Sequence, residues 1–106
     1  MEQEHPLVRD VFPDLIAELT TLLEDEGERE SAICVWDVRL VALCGCGDDF
    51  CQSMYTAVHQ KGKPYGEGYR CVPLSPSEGM LILDVVYGRI KYIEVLNRPP
   101  MRRPTP

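Results

Sequence analysis

The sequence contains no apolar run near the 18 or more residues that a transmembrane helix needs, and this excludes a membrane-spanning helix. Its first residues, Met-Glu-Gln-Glu-His-Pro, have no apolar stretch of the kind that marks a secretory signal, so the expected compartment is the cytoplasm. Histidine is scarce: of two, only His59 lies outside the N-terminal segment. No G-x-S-x-G, P-loop, H-E-x-x-H or EF-hand pattern occurs. With no nucleophile motif and one histidine in the body of the chain, the sequence reads as a non-enzyme, and His59 as a surface-loop residue. Bases are few in the first third. Residues 1–30 hold ten acids against Arg9 and Arg29, a charge of −8, whereas residues 31–106 carry +2. A net charge of −6 repels phosphate backbones, so nucleic acid is not an expected partner.

What is present is enough for one folded domain. The chain has 106 residues, 44% of them hydrophobic, which suits a single globular core and excludes wholesale disorder. Val8, Val11, Phe12, Leu15, Ile16, Leu19, Leu22 and Leu23 recur at helical spacing and predict a helix over residues 10–26. Asp10 is the expected N-cap, Pro13 falls in the first turn, and Gly27 suits the position just past the end. From Ser31 onward the pattern is that of strands: 31–36, 39–44, 50–58, 70–74, 80–86 and 89–96, with Asp37 marking a bend between the first two. Pro73 and Pro76 suit an edge strand. A glycine-rich loop covers 59–69.

Sequential strands without intervening helices exclude βαβ units. The expected fold is α+β, an N-terminal helix packed on an antiparallel sheet of five to six strands with a C-terminal β-hairpin. Residues 1–96 read as one domain. Residues 97–106 read as a Pro/Arg-rich tail, disordered or draped over the surface. Leu81, Leu83 and Val85 supply one sheet face. The opposite face, with Met80, Ile82, Asp84 and Val86, is still rather apolar, so loop and tail cover it or a second copy of the chain pairs with it.

Gly79 to Leu96 reads Gly-Met-Leu-Ile-Leu-Asp-Val-Val-Tyr-Gly-Arg-Ile-Lys-Tyr-Ile-Glu-Val-Leu. Tyr87-Gly88 between two apolar runs is a hairpin signature. The segment resembles the C-terminal hairpin of small uncharacterised bacterial domains, in which an apolar strand, an Asp, a Gly turn and an Ile-Glu-hydrophobic strand recur. The resemblance covers 18 of 106 residues and implies a fold fragment and a bacterial source, but no activity.

The most unusual stretch is Cys44-Gly45-Cys46-Gly47-Asp48-Asp49-Phe50-Cys51. Three readings stand side by side. Cys44, Cys46 and Cys51 supply three thiolates of a zinc set, with Cys71 or His59 as the fourth ligand, although the spacing is not the usual C-x-x-C pair. Thiol redox chemistry is the second, and Asp48 and Asp49 oppose it by raising thiol pKa values. The third is structural, with the cysteines as small buried hydrophobes around a turn.

A different surface is offered by the acids Glu24, Asp25 and Glu26, which fill the last turn of the expected helix and oppose its dipole, with Glu28 and Glu30 following them. Solubility explains such a run, and so does an edge that meets a basic partner. Tyr65 and Tyr69 add large amphipathic side chains suited to contact or to packing over the sheet edge. Lys61, Lys63 and Arg70 near the glycine loop lack a phosphate-loop pattern, and Trp36 reads as core. The leading functional expectation is therefore a non-enzymatic protein-binding or inhibitor-type module, of the kind that neutralises a basic toxin or nuclease. A metal-binding or thiol-redox protein is the alternative.

Overall fold

A computed structural model describes residues 5–44, 51–58 and 64–101. Helices α1 (Val8–Val11), α2 (Pro13–Asp25) and α3 (Arg29–Cys34) are followed by a 3₁₀ turn, Val35–Asp37. Strands β1 (Ala42–Leu43), β2 (Met54–Tyr55), β3 (Tyr69–Pro73), β4 (Met80–Val86) and β5 (Arg89–Leu96) complete the chain. All pairings are antiparallel, in the order β1-β2-β5-β4-β3. β3, β4 and β5 form a meander, and β2 lies beside β5 through a long connection, which is Greek-key order. The α+β expectation holds, with three helices on the sheet in place of one.

The long helix begins later than expected. Asp10 does not cap it: Phe12 breaks the chain between α1 and α2, and Pro13 takes the first position of α2, where its missing N–H leaves no bond unmade. Leu15, Ile16, Leu19 and Leu23 are buried along one stripe of α2. Its end is closed by the Gly27 N–H on the Glu24 carbonyl (3.0 Å) and the Glu28 N–H on the Leu23 carbonyl (2.8 Å), a Schellman arrangement.

Residues 31–36 are the chief correction. They are helical, not a strand. Ser31, Ala32 and Val35 are buried, and their spacing is that of one helix face. Two small residues on that face let α3 approach α2 and the sheet, and tertiary packing overrides the β-propensity of Ile33 and Val35. The strands expected at 39–44 and 50–58 shorten to β1 and β2. Each is extended by single bonds, among them the Cys44 N–H to the Ser53 carbonyl (2.9 Å) and the Gln52 N–H to the Val95 carbonyl (2.8 Å).

The β4–β5 hairpin appears as expected. Tyr87 (φ 48°) and Gly88 (φ 80°) both adopt positive φ, as a two-residue type I′ turn requires. At Asp84/Val85 the register shifts, and Lys91 becomes the extra residue of a bulge. Leu81, Leu83, Val85, Ile90, Ile93, Val95, Val72 and Met54 form the sheet's contribution to the core, under α2 and α3. Of the tail, residues 97–101 are draped on the helical side. Arg98 makes a two-point ion pair with Glu18, and Gln52 holds the backbone of Arg98, Pro99 and Met101. No helix among the described residues is long and apolar enough to cross a membrane.

Candidate functional site

Making residues 29–37 helical turns Arg29, Ile33, Trp36 and Asp37 outward together, because they recur at four, three and one. Thr20 and Glu24, one turn apart on α2, face them. These six residues and Ala32 line an open groove of about 670 Å³. Ile33 is 71% exposed and Trp36 44% exposed on its wall. Large apolar side chains left in water at a concave surface mark a contact site more often than a packing defect. Trp36 is held from behind. Arg9 of α1 donates to its carbonyl oxygen (3.2 Å) and lies 3.5 Å from the Asp37 carboxylate, with the guanidinium 5.9 Å from the indole centroid. The indole is thus anchored through its backbone and free to offer a ring edge and face. Trp36 is accordingly not the core residue that the sequence suggests.

The acidic run is divided by the fold. Glu24 enters the groove, and Asp25, Glu26 and Glu30 are exposed around the α2–α3 turn. Glu28 is engaged: Arg70 of β3 grips it at two points, 2.7 and 3.0 Å. The Arg70 hydrogen bond holds the Glu28 carboxyl below its ordinary pKa, and Glu28 raises that of Arg70 in return. Tyr65 and Tyr69 do not join this surface. β3 turns Arg70 toward the helices and Tyr69 to the opposite side, since neighbouring residues of a strand point to opposite faces.

That opposite face of the sheet has its own chemistry. By register it carries Cys44 beside β1, Cys51, Ser53 and Tyr55 along β2, Tyr92 and Glu94 on β5, Asp84 on β4, and Tyr69 and Cys71 on β3. Tyr69 donates to Asp84 (2.9 Å) and stacks on Tyr65 at 5.3 Å with rings 7° apart. Tyr55 and Tyr92 meet at 4.6 Å. The hydrogen bond to Asp84, with burial, pushes the Tyr69 hydroxyl up to about 12. Burial, then the Asp84 charge, pushes Tyr65 up to about 12. Tyr92 is raised by burial first and then by its hydrogen bond with Cys44. Ser53 is buried; its hydroxyl accepts from the Val95 N–H (2.8 Å) and from the Cys51 thiol (3.4 Å).

The expected metal set is only partly placed. Cys46 and His59 lie outside the described residues, as do Asp48, Asp49, Lys61 and Lys63. Cys44 and Cys51 share one sheet face on either side of Ser53. Cys71 lies on β3 at the far edge, four strand intervals from β1 or about 19 Å along the sheet. Among the described residues no three His, Cys, Asp or Glu side chains converge on one point, and Cys34, Cys44, Cys51 and Cys71 form no disulfide. Sequence reasoning missed Ser53 and Tyr92. Their signal was the two-residue period running from Cys51 through Ser53 to Tyr55, which puts all three on one side of a strand.

The fold defines a class, a helical layer on one side of a five-stranded antiparallel sheet of Greek-key order, with a groove in the helical layer and a tyrosine- and thiol-bearing face opposite. Comparison with protein-family models, with curated proteins and with solved structures finds no match to this chain.

Proposed function

We propose that this chain is a non-enzymatic binding module of the cytoplasm, of inhibitor or adaptor type, that receives a basic protein in the groove between α2 and α3. The observation that carries the reading is the exposed Ile33–Trp36 wall. Aromatic anchors in a concave site supply most of the energy of protein contacts, and tryptophan is among the commonest of them. The commitment to a basic partner comes from charge. Glu24 and Asp37 line the groove beside Arg29, Asp25, Glu26 and Glu30 lie around the nearby turn, and residues 1–30 together carry −8. Such a field speeds encounter with a cationic surface and repels an anionic one.

The test uses the full chain, immobilised, to capture proteins from extracts of the cells that make it. One stoichiometric partner with a basic surface is expected, released by raising the salt concentration. Trp36→Ala is expected to weaken its binding by about thirtyfold or more, as loss of an interface anchor does. Glu24→Lys is expected to slow association. Trp36 is the sole tryptophan, so its fluorescence reads occupancy of the groove directly. Retention of the same partner by Trp36→Ala at unchanged affinity would overturn the proposal, as would the absence of any stoichiometric partner.

A further inference from the structure

The free edge of the sheet supports an inference separate from the groove. We infer that the outer edge of β3 is a strand-addition surface, which takes up an extended, basic segment of a partner protein through backbone hydrogen bonds.

The argument starts from register. β3 is the last strand of the sheet and pairs with β4. The Tyr87 N–H bonds the Gly68 carbonyl oxygen (3.1 Å) and the Leu74 N–H bonds that of Leu81 (2.9 Å). Hydrogen-bonded residues alternate along an antiparallel ladder, so Arg70 and Val72 also spend their backbone groups on β4. Tyr69, Cys71 and Pro73 therefore turn theirs outward. Among the described residues no backbone group bonds the N–H and C=O of Tyr69 and Cys71. Tyr69 is 46% exposed, and Arg70, Cys71 and Pro73 are exposed as well. An uncovered row of this kind is a template for another strand. The opposite edge, β1, is two residues long and offers much less.

Two features select the occupant. The first tells against a second copy of this chain. Antiparallel pairing centred on Cys71 sets Tyr69 against Pro73 of the other copy, and proline has no N–H to return the bond. A register that sets Tyr69 against Cys71 instead brings Arg70 opposite Arg70 of the other copy, with Cα atoms about 4.5 Å apart, where like charges destabilise. A foreign strand free of those residues pairs fully with Tyr69 and Cys71. The second feature is charge. On the Tyr69 side, Asp84 stands opposite Cys71 and accepts from Tyr69 (2.9 Å), and Glu67 lies at the head of the strand. Arg89 and Lys91 are two strands further in, on β5. On the helical side Arg70 is neutralised by Glu28 (2.7 and 3.0 Å), which also ties the α2–α3 turn, with its exposed Asp25, Glu26 and Glu30, to β3; Val72 is buried. A strand with basic residues on the Tyr69 side and apolar ones beside Arg70 and Val72 matches both.

The probe is a capped, fluorescein-labelled heptapeptide of alternating lysine and valine, titrated into the full chain and followed by anisotropy. Saturable binding is expected, with amide hydrogen exchange at Tyr69 and Cys71 slowed by about tenfold or more and that at Arg70 and Val72, already bonded to β4, little changed. Cys71→Pro deletes an outward donor that the sheet does not use and should weaken binding by about tenfold; Cys71→Ser should leave it unchanged. N-methylation of the peptide backbone should abolish binding and leaves the protein untouched, so the test does not depend on how a variant folds. A glutamate–valine peptide should bind about tenfold more weakly or worse. Trp36→Ala should leave peptide binding as it is, which separates this outcome from that for the groove. Absence of saturable binding would overturn the surface, as would equal binding by folded Cys71→Pro or by the N-methylated peptide. Equal binding of the glutamate peptide would overturn the assigned charge of the occupant. Concentration-dependent dimers of the free chain that vanish in Cys71→Pro would overturn the proposal in favour of a second copy.

Discussion

Gly79 and Gly88 show at single positions how much of this fold rests on backbone rather than side chains. Both adopt positive φ, +70° and +80°. A Cβ on Gly88 would meet nothing within 4 Å, whereas one on Gly79 would lie 2.5 Å from the Leu96 carbonyl oxygen and 2.7 Å from that of Asn97. The left-handed conformation alone costs an alanine about 1–2 kcal/mol. At Gly79 the added atom also displaces the backbone that begins the tail. Gly88→Ala is therefore expected to lower the unfolding free energy by about 1 kcal/mol and Gly79→Ala by about 3 kcal/mol, as read by urea denaturation. Equal losses would show that the tail yields without cost. The hairpin glycine is legible in the sequence from the Tyr-Gly pair. The demand at Gly79 is not, because the atoms that create it are 17 and 18 residues further along the chain.

Individual elements show the same division between local and distant causes. α2 is legible because its apolar stripe, Pro13 and Gly27 all lie within one stretch of sequence. α3 is not, since its six residues are too few to show a period and its β-branched members favour a strand when read alone. Misreading it concealed the groove: a strand would put Ile33 and Trp36 on opposite sides, and a helix puts them together. The loop before β3 depends on tertiary contact as well. Tyr65 stacks on Tyr69, whose hydroxyl is fixed by Asp84.

This arrangement has a definite pH dependence. Folding raises the Tyr69 hydroxyl from 10 to about 12, so it stabilises the protonated form. The contribution is complete below pH 10 and is lost as pH rises through about 12. Asp84→Asn removes the charged acceptor, and the ionisation of Tyr69, followed by tyrosinate absorbance, is expected to move down toward 10. An unmoved titration would refute the assigned cause.

The whole molecule presents two surfaces separated by a sheet. The groove and the thiol-bearing face lie on opposite sides of that sheet, and substitutions at well-separated sites usually act independently. The pair Cys44→Ser and Cys51→Ser, on the face away from the groove, is expected to leave partner capture by the immobilised chain unchanged. A loss of capture in that variant would mean that the two faces communicate. The sequence by itself determined the fold class, the course of α2, and the β4–β5 hairpin with its turn. These rest on periodicity and turn chemistry expressed within a few consecutive residues. It also exposed the charge asymmetry, but not its use. Only the tertiary structure decided that Glu28 is spent on Arg70 while Glu24 faces the groove. It placed Cys71 at the far edge from Cys44, and set Tyr69 on the side of the sheet away from the acids. The physical reason lies in the strand order. β2 pairs with β5 across nearly forty residues of chain, and that long-range pairing, which no local pattern encodes, fixes which side chains share a face.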